Sequence, residues 1–368
     1  FTNNTDGHLL LEPQSTNLLT YSQEFDHSSG YWNTPNTTIE TTSITSPDGS
    51  NDTYKLFANT GSSSHYFDNI NYSGASSGQT YTYSVFVKSA GSDFIQLASS
   101  SGFPARYQNF NLSTGAKASG DISNATIEAY PNGWYRISVT ETTNGTSRRF
   151  LIVPVLTDNS RNPVFVGNPQ EDGVYIFGAQ LEELSYATSY IPTNGSTVTR
   201  DAETCTGSGE AIDFNSEEGV LYAEIARNTV HNDYELLSIS PTNNSDGTHY
   251  ASLGYNNTDN KLWIRAKIGN TVAIASIGEV DTVLNQFYKI AIKYKSGENA
   301  IFVDGQKLIN TDITDGSETT TFTATPNTIS DLEFRHWDAN NSFYGKVKAI
   351  RVYKEALSNS ELVTLTSL

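Results

Sequence analysis

Apolar and polar residues alternate one for one along most of this chain. In Thr80–Lys88, TYTYSVFVK, Tyr81, Tyr83, Val85 and Val87 fall on one side, and Thr82, Ser84 and Lys88 on the other. Trp134–Thr140, WYRISVT, groups Tyr135, Ile137 and Val139. Val174–Glu182, VYIFGAQLE, groups Tyr175, Phe177, Ala179 and Leu181. A pleated strand sends successive side chains to opposite faces, so each stretch reads as a half-buried antiparallel strand. Pro47-Asp48-Gly49, Pro131-Asn132-Gly133 and Asp172-Gly173 are turn signals between such stretches. Many short strands with almost no helix predict an all-β protein of sandwich or jelly-roll type.

The alternation breaks once and restarts. Tyr190-Ile191-Pro192-Thr193 is extended, because proline restricts its predecessor and donates no ladder hydrogen bond. Beyond Cys205-Thr206-Gly207-Ser208-Gly209, strands are expected at Gly219–Ala226, Leu262–Ile268, Phe287–Lys295, Ala300–Leu308 and Lys346–Lys354. Asp304-Gly305 suits a two-residue hairpin turn, since both residue types tolerate positive φ. Ser358 and Glu361 have capping-box spacing, which predicts a short terminal helix over Ala356–Leu362. A chain of 368 residues is long for one ordinary domain. The expected division is two tandem antiparallel sandwiches, 1–203 and 210–368, joined by a linker at 204–209. Val174–Glu182 is expected as the last core strand of the first, with Tyr175, Phe177, Ala179 and Leu181 inward.

Charge narrows the function. Lys and Arg number 22 against 40 Asp and Glu, a formal charge of −18. Such a chain lacks the basic footprint that phosphate backbones require, which argues against a nucleic-acid partner. Cys205 is the sole cysteine, so no disulfide forms within the chain. No apolar run approaches the ~18 residues of a membrane-spanning helix. The opening FTNNTDGHLL does not read as a signal peptide. N-x-[ST] triplets at Asn36, Asn71, Asn111 and Asn256 are what an Asn- and Thr-rich chain gives by chance.

Five motifs in order, LLLEPQSTNLL (9–19), YW with SPDGSNDTYKL (31–32, 46–56), YTYSVFVKSAG (81–91), NGWYRISVT (132–140) and VYIFGAQLEELSYATSYIPT (174–193), resemble a bacteriophage fibre or spike module. That module is a jelly roll similar to carbohydrate-binding modules. The resemblance implies a virion-surface or extracellular setting, other virion proteins as partners, and a homo-oligomer, with a trimer as the fibre expectation. IFVDGQKL (301–308) and GKVKAIRVYKEALSNSEL (345–362) resemble the laminin-G/concanavalin A-like sandwich. That fold serves lectins, hydrolases and lyases alike, so it does not by itself give a function.

Catalytic signatures are missing. Retaining glycosidases need two carboxylates about 5 Å apart, and no E-x-D-x-x-E run supplies them. H-E-x-x-H does not occur, and no strand-to-helix nucleophile elbow supports a Ser–His–Asp triad. His336 with Tyr344 or Tyr353 is imaginable as a lyase pair, but packing is the favoured reading. The expectation is a non-catalytic virion-surface protein that attaches through cell-surface or extracellular glycans; the alternatives are a secreted bacterial polysaccharide-active enzyme or its carbohydrate-binding accessory module, and a purely structural virion protein.

Pyranoses lie on exposed aromatic rings, which makes the tryptophans the natural candidates. Trp32 and Trp134 recur at structural positions of the resembled module and read as packing. In KLWIRAKI the apolar face is Leu262, Ile264, Ala266 and Ile268, which leaves Trp263 among Lys261, Arg265 and Lys267. That face fits an acidic glycan through stacking and charge; a sheet face whose long side chains cover the tryptophan is the alternative. Lys289, Lys293 and Lys295 would extend it if their strand is a neighbour. His336, Trp337, Asp338, Asn340 and Asn341 form a polar loop that suits a sugar, with a structural turn as the alternative. For a structural calcium ion, Asp48, Asn51 and Asp52 are a partial oxygen shell, with Asp246 and Asp259 weaker candidates.

Overall fold

The computed structural model describes residues 7–26, 30–69, 73–169, 171–230, 233–242, 247–257, 259–308, 316–338 and 340–368. Asp246 and Asn71 lie outside them. The protein is all-β, two tandem antiparallel sandwiches with one short C-terminal helix among the described residues. Gln14–Asp201 form one compact unit. Ala202–Leu368, with the segment up to Pro13, form the other.

In the first unit a six-stranded sheet runs Asn124–Tyr130, Trp134–Thr142, Thr80–Ser89, Val174–Glu182, Thr53–Ala58, Thr37–Thr42. A four-stranded sheet runs Ala116–Gly120, Tyr107–Asn111, Phe94–Ser99, Phe150–Val155. Tyr81, Tyr83, Val85, Val87, Ile137 and Val139 point into the core between them, in the predicted phase. Trp32 lies flat on Phe67 at 4.9 Å and donates its indole N–H to Tyr21 O at 3.0 Å. Trp134 is equally buried and donates to Thr45 O at 3.0 Å. Both are packing residues whose single polar atom is satisfied.

The Val174–Glu182 strand departs from its predicted phase. Val174, Ile176, Ala179 and Leu181 enter the core, while Phe177 and Tyr175 pack on the opposite face with Phe86, Trp134 and Tyr190. The cause is a bulge between Phe177 and Gln180, where Gly178 takes φ 58°. One extra residue resets the alternation. A Cβ at Gly178 would also meet the Tyr190 ring at 3.0 Å. The Tyr190-Ile191 segment is therefore sewn onto its own sandwich. Tyr190 Oη lies 2.6 Å from Ser22 Oγ, and the Ile191 amide donates to Gln180 Oε1 at 2.6 Å.

The second unit also pairs two sheets. The six-stranded one runs Leu9–Leu11, Gly345–Tyr353, Glu218–Ala226, Tyr288–Lys295, Ala300–Val303, Gln306–Lys307. The five-stranded one runs Thr271–Asp281, Lys261–Ile268, Tyr250–Tyr255, Glu235–Ser240, Asp331–Glu333. Leu9–Leu11, grouped by sequence with the first half, pairs with Gly345–Val347 instead and buries Leu11 in the second core. The Glu203 carboxylate fixes this edge by accepting the Glu12 amide at 2.7 Å. The 204–209 stretch is tied to the same unit: Phe334 N donates to Cys205 O at 2.9 Å and Leu332 N to Ser208 O at 2.8 Å.

Asp304 and Gly305 both adopt positive φ, 47° and 78°, and turn the predicted hairpin. The helix is Asn359–Thr366, starting later than expected because Ser358 is its N-cap. Ser358 Oγ accepts the Glu361 amide at 3.3 Å, and Glu361 Oε2 accepts the Ser358 amide at 2.8 Å. Leu362 buries onto Val220, Tyr222 and Phe302. Ser358→Ala should lower stability by about 1 kcal/mol, the usual cost of a lost N-cap, read as a shifted urea midpoint with an unchanged slope.

Candidate functional site

The five-stranded sheet of the second unit carries the site. Its inner face is built from Leu237, Ile239, Ala251, Leu253, Leu262, Ile264, Ala266 and Ile268. The alternation in KLWIRAKI is thus kept, and Trp263 stands on the outer face as expected. It is not open to solvent there, being only 5% exposed. Leu236 and Tyr250 lie beside it, with Tyr234 and Trp337 packed over them.

Two stretches nominated separately by sequence meet at this point. Trp337 stacks on Tyr250 at 4.9 Å and 10°, and His336 lies 4.7 Å from the Trp337 ring. His336 also stacks on Tyr234 at 5.8 Å and meets Trp263 edge-on at 6.1 Å. Five rings therefore form one cluster, with Trp263 its buried base and Trp337 and Tyr234 its half-buried upper members. Gly247 makes room for it: at φ 59° it lies against Trp337, whose ring a Cβ would meet at 2.4 Å.

The loop that brings His336 and Trp337 over the sheet is held by backbone and by one polar knot. His336 N donates to Asn341 O at 3.1 Å, and Phe343 N to Phe334 O at 2.8 Å. His336 Nδ1 lies 2.6 Å from Asp338 Oδ1, which also accepts the Asn340 amide at 3.0 Å. Partial burial opposes the Asp338 charge, but His336 and the Asn340 amide together hold its carboxyl below the usual range. Asn340 itself is exposed. His336 thus serves the cluster, and Tyr353, one of its two imagined lyase partners, stands in the other sheet.

The expected basic patch is smaller than the sequence suggests. Lys261 donates to Gly278 O at 3.0 Å and sits 3.7 Å from Asp281. Arg265 and Lys267 are half-buried on the outer face. Lys289, Lys293 and Lys295 lie in the six-stranded sheet, so they do not extend this face. Lys289 donates to Ser367 O at 2.6 Å and Lys293 to Asn359 Oδ1 at 3.3 Å, while Lys295 pairs with Glu298 at 3.4 Å.

The sequence reading missed the polar half of the site. Glu333 is buried and takes a two-pronged grip from Arg335, Nε to Oε2 and Nη2 to Oε1, both 2.7 Å. Ser238 Oγ bonds Ser252 Oγ at 2.7 Å and donates to Arg335 O at 2.9 Å. Asp331, Glu333 and Arg335 alternate in DLEFR opposite the apolar Leu332 and Phe334. That spacing was a legible signal for a charged outer face.

Of the calcium candidates Asp48, Asn51 and Asp52, the first two make hydrogen bonds within their own loop. Asp48 turns back on its own loop, accepting Ser46 Oγ at 2.5 Å and the Ser50 amide at 2.9 Å. Partial burial opposes its charge, yet these bonds hold the carboxyl below its ordinary value. Asn51 accepts Thr45 Oγ1 at 3.5 Å. Among the described residues no three Asp, Glu, His or Cys side chains gather as a metal shell. Asp259 offers its backbone oxygen to Arg227 at 2.9 Å.

The second unit is an antiparallel sandwich of the concanavalin A-like kind, bearing an aromatic and polar cluster outside its five-stranded sheet. Residues 221–363 match the laminin-G-type model of the concanavalin A-like lectin/glucanases superfamily, less than half of the chain. No curated protein matches. Among solved structures, domain 4 of AbnA, a GH43 extracellular arabinanase from Geobacillus stearothermophilus in complex with arabinotriose, is 13% identical with TM-score 0.34, over 47% of this chain and 74% of that one. The CBM40 of the Ruminococcus gnavus IT-sialidase, bound to α2,3 sialyllactose, is 15% identical with TM-score 0.33, over 45% and 97%. The Trypanosoma rangeli sialidase in complex with sialic acid is 11% identical with TM-score 0.31, over 85% and 60%. Likenesses at this level carry nothing about ligand or reaction.

Proposed function

We propose that this chain is a non-catalytic glycan-binding protein, and that the cluster of Tyr234, Tyr250, Trp263, His336 and Trp337 is its saccharide platform. The observation that carries this reading is the meeting of five rings on one sheet face beside buried polar groups. Rings take the C–H faces of a pyranose, and carboxylate, guanidinium and hydroxyl groups take its edges. The match of residues 221–363 to a lectin/glucanase model supports the same reading. So does the lack of an E-x-D-x-x-E or H-E-x-x-H run in the sequence.

The motif order across 9–203 supports a setting on a phage virion surface or in the extracellular medium. There, copies joined in an oligomer would gain avidity from individually weak contacts. Calcium has no step in this proposal.

The test is an array of bacterial surface polysaccharides and animal glycans probed with the full chain. Any bound saccharide is then incubated with the protein and its length followed by mass spectrometry. Binding without shortening is the expected result. Shortening would make the protein an enzyme, and silence across the array would remove the glycan reading.

A further inference from the structure

We infer that Asp331 is a ligand-binding residue of this platform, and that with the Trp337 indole it takes hydroxyl groups of the saccharide. The inference rests on the glycan reading and adds the polar contacts that reading lacks. Asp331 faces Ser240 across one strand boundary, and Tyr250 faces Lys267 across another. Ser240 and Tyr250 are themselves opposite, one step on from the Ile239–Ala251 pair. Directly opposed residues of antiparallel strands share a face. Asp331, Ser240, Tyr250 and Lys267 therefore cross the outer face in one row, and the Trp337 ring lies on Tyr250 in that row.

Asp331 Oδ2 and Trp337 Nε1, on this surface, are sealed from solvent without a hydrogen-bond partner. Asp331 is only 6% exposed. Their neighbours are matched, Glu333 by Arg335 and Ser238 by Ser252. More than nine in ten buried polar groups in folded proteins find partners, so unmatched ones need a reason. An ionised carboxylate only accepts and an indole N–H only donates. A hydroxyl does both. A hydroxylated ligand supplies the kind of partner that each atom lacks. A simple anion would be repelled at Asp331, and an apolar ring would leave both unmatched. Asp331 thus selects for sugar hydroxyls at its end of the row.

The first measurement uses the unliganded full chain. Asp331→Asn changes a carboxylate whose Oδ2 makes no hydrogen bond, with Arg335 close enough to feel its charge, so its thermal midpoint should not fall. A lower midpoint means that the carboxylate is structural and overturns the inference. The second is calorimetric titration of the strongest array saccharide. Asp331→Asn should weaken it about ten- to hundredfold, the usual range for a hydrogen bond to a charged group. Trp337→Phe keeps a ring on Tyr250 but loses the N–H, and should weaken binding about two- to tenfold. If the saccharide binds wild type and both variants alike, the two atoms hold only water and the inference falls while the glycan reading stands. An array with no bound saccharide overturns both.

Discussion

Above about pH 8, where Glu235 is ionised, Glu235→Ala should lower the stability of the second unit by about 3–5 kcal/mol, the cost of breaking a buried ion pair from one side. Arg227 follows the Glu218–Ala226 strand directly and Glu235 opens the next one, with side chains 1% and 2% exposed. Arg227 Nε donates to Glu235 Oε2 at 2.8 Å, and Nη2 lies 2.6 Å from the same oxygen. The remaining nitrogen donates to Asp259 O at 2.9 Å, and the guanidinium lies 5.0 Å from the Tyr255 ring. Alanine strips the guanidinium of its carboxylate, and Nε of its acceptor, where water does not reach them. The readout is the urea midpoint of the variant against wild type; a loss under about 1 kcal/mol would mean that the loops around Arg227 reorganise to satisfy it.

The same pair sets a pH dependence of definite sign. Burial pushes the Glu235 carboxyl up to about 8, with Arg227 pulling the other way. Between its ordinary value of 4.5 and about 8 the folded chain therefore holds a proton that the unfolded chain has released. Stability falls with rising pH wherever the folded state binds more protons. The Glu235 contribution is complete below about 4.5 and is lost as pH rises through about 8. Glu235→Gln keeps an acceptor for Arg227 but does not titrate. Wild type should therefore lose stability relative to Glu235→Gln across that window. A difference that stays flat with pH would mean that Glu235 titrates alike in the folded and unfolded chain.

How much of this was legible in the sequence depended on how local the cause was. The inward faces of Thr80–Ser89 and Lys261–Ile268 follow from alternation alone, because a strand has only two faces. The Ser358–Glu361 capping box and the Asp304-Gly305 hairpin are likewise set within a few residues. Val174–Glu182 failed for a local reason too: Gly178 inserts a bulge, and a single-phase reading then sends Phe177 to the wrong side. Leu9–Leu11 failed for a distant one, since its ladder partners come from the far end of the chain. The site shows the same divide. Trp263 on the outer face was readable, but its burial comes from Tyr234, Tyr250 and Trp337, which only the fold gathers. The lysines of Tyr288–Lys295 looked like one patch with Arg265 until the topology placed them in the other sheet.

The fold also changes which tryptophan should matter for binding, and the second large effect follows. Trp337→Ala should weaken saccharide affinity by about 2 kcal/mol or more, roughly thirtyfold, as aromatic anchors at interfaces do. Trp337 is half-buried and upper in the cluster, so its removal from the unliganded protein should cost less stability than deletion of a core ring. Trp263 is the reverse. It is buried under the cluster, and Trp263→Ala opens a cavity that should cost about 3–5 kcal/mol of stability. Its affinity loss should then be recovered in Trp263→Phe, which refills the base without restoring an indole. Calorimetry and urea unfolding on the three variants separate these roles. If Trp337→Ala binds as wild type does, the cluster is packing and the platform lies elsewhere. If Trp263→Phe binds as weakly as Trp263→Ala, the Trp263 indole itself meets the sugar, and the order of layers inferred from its burial is wrong.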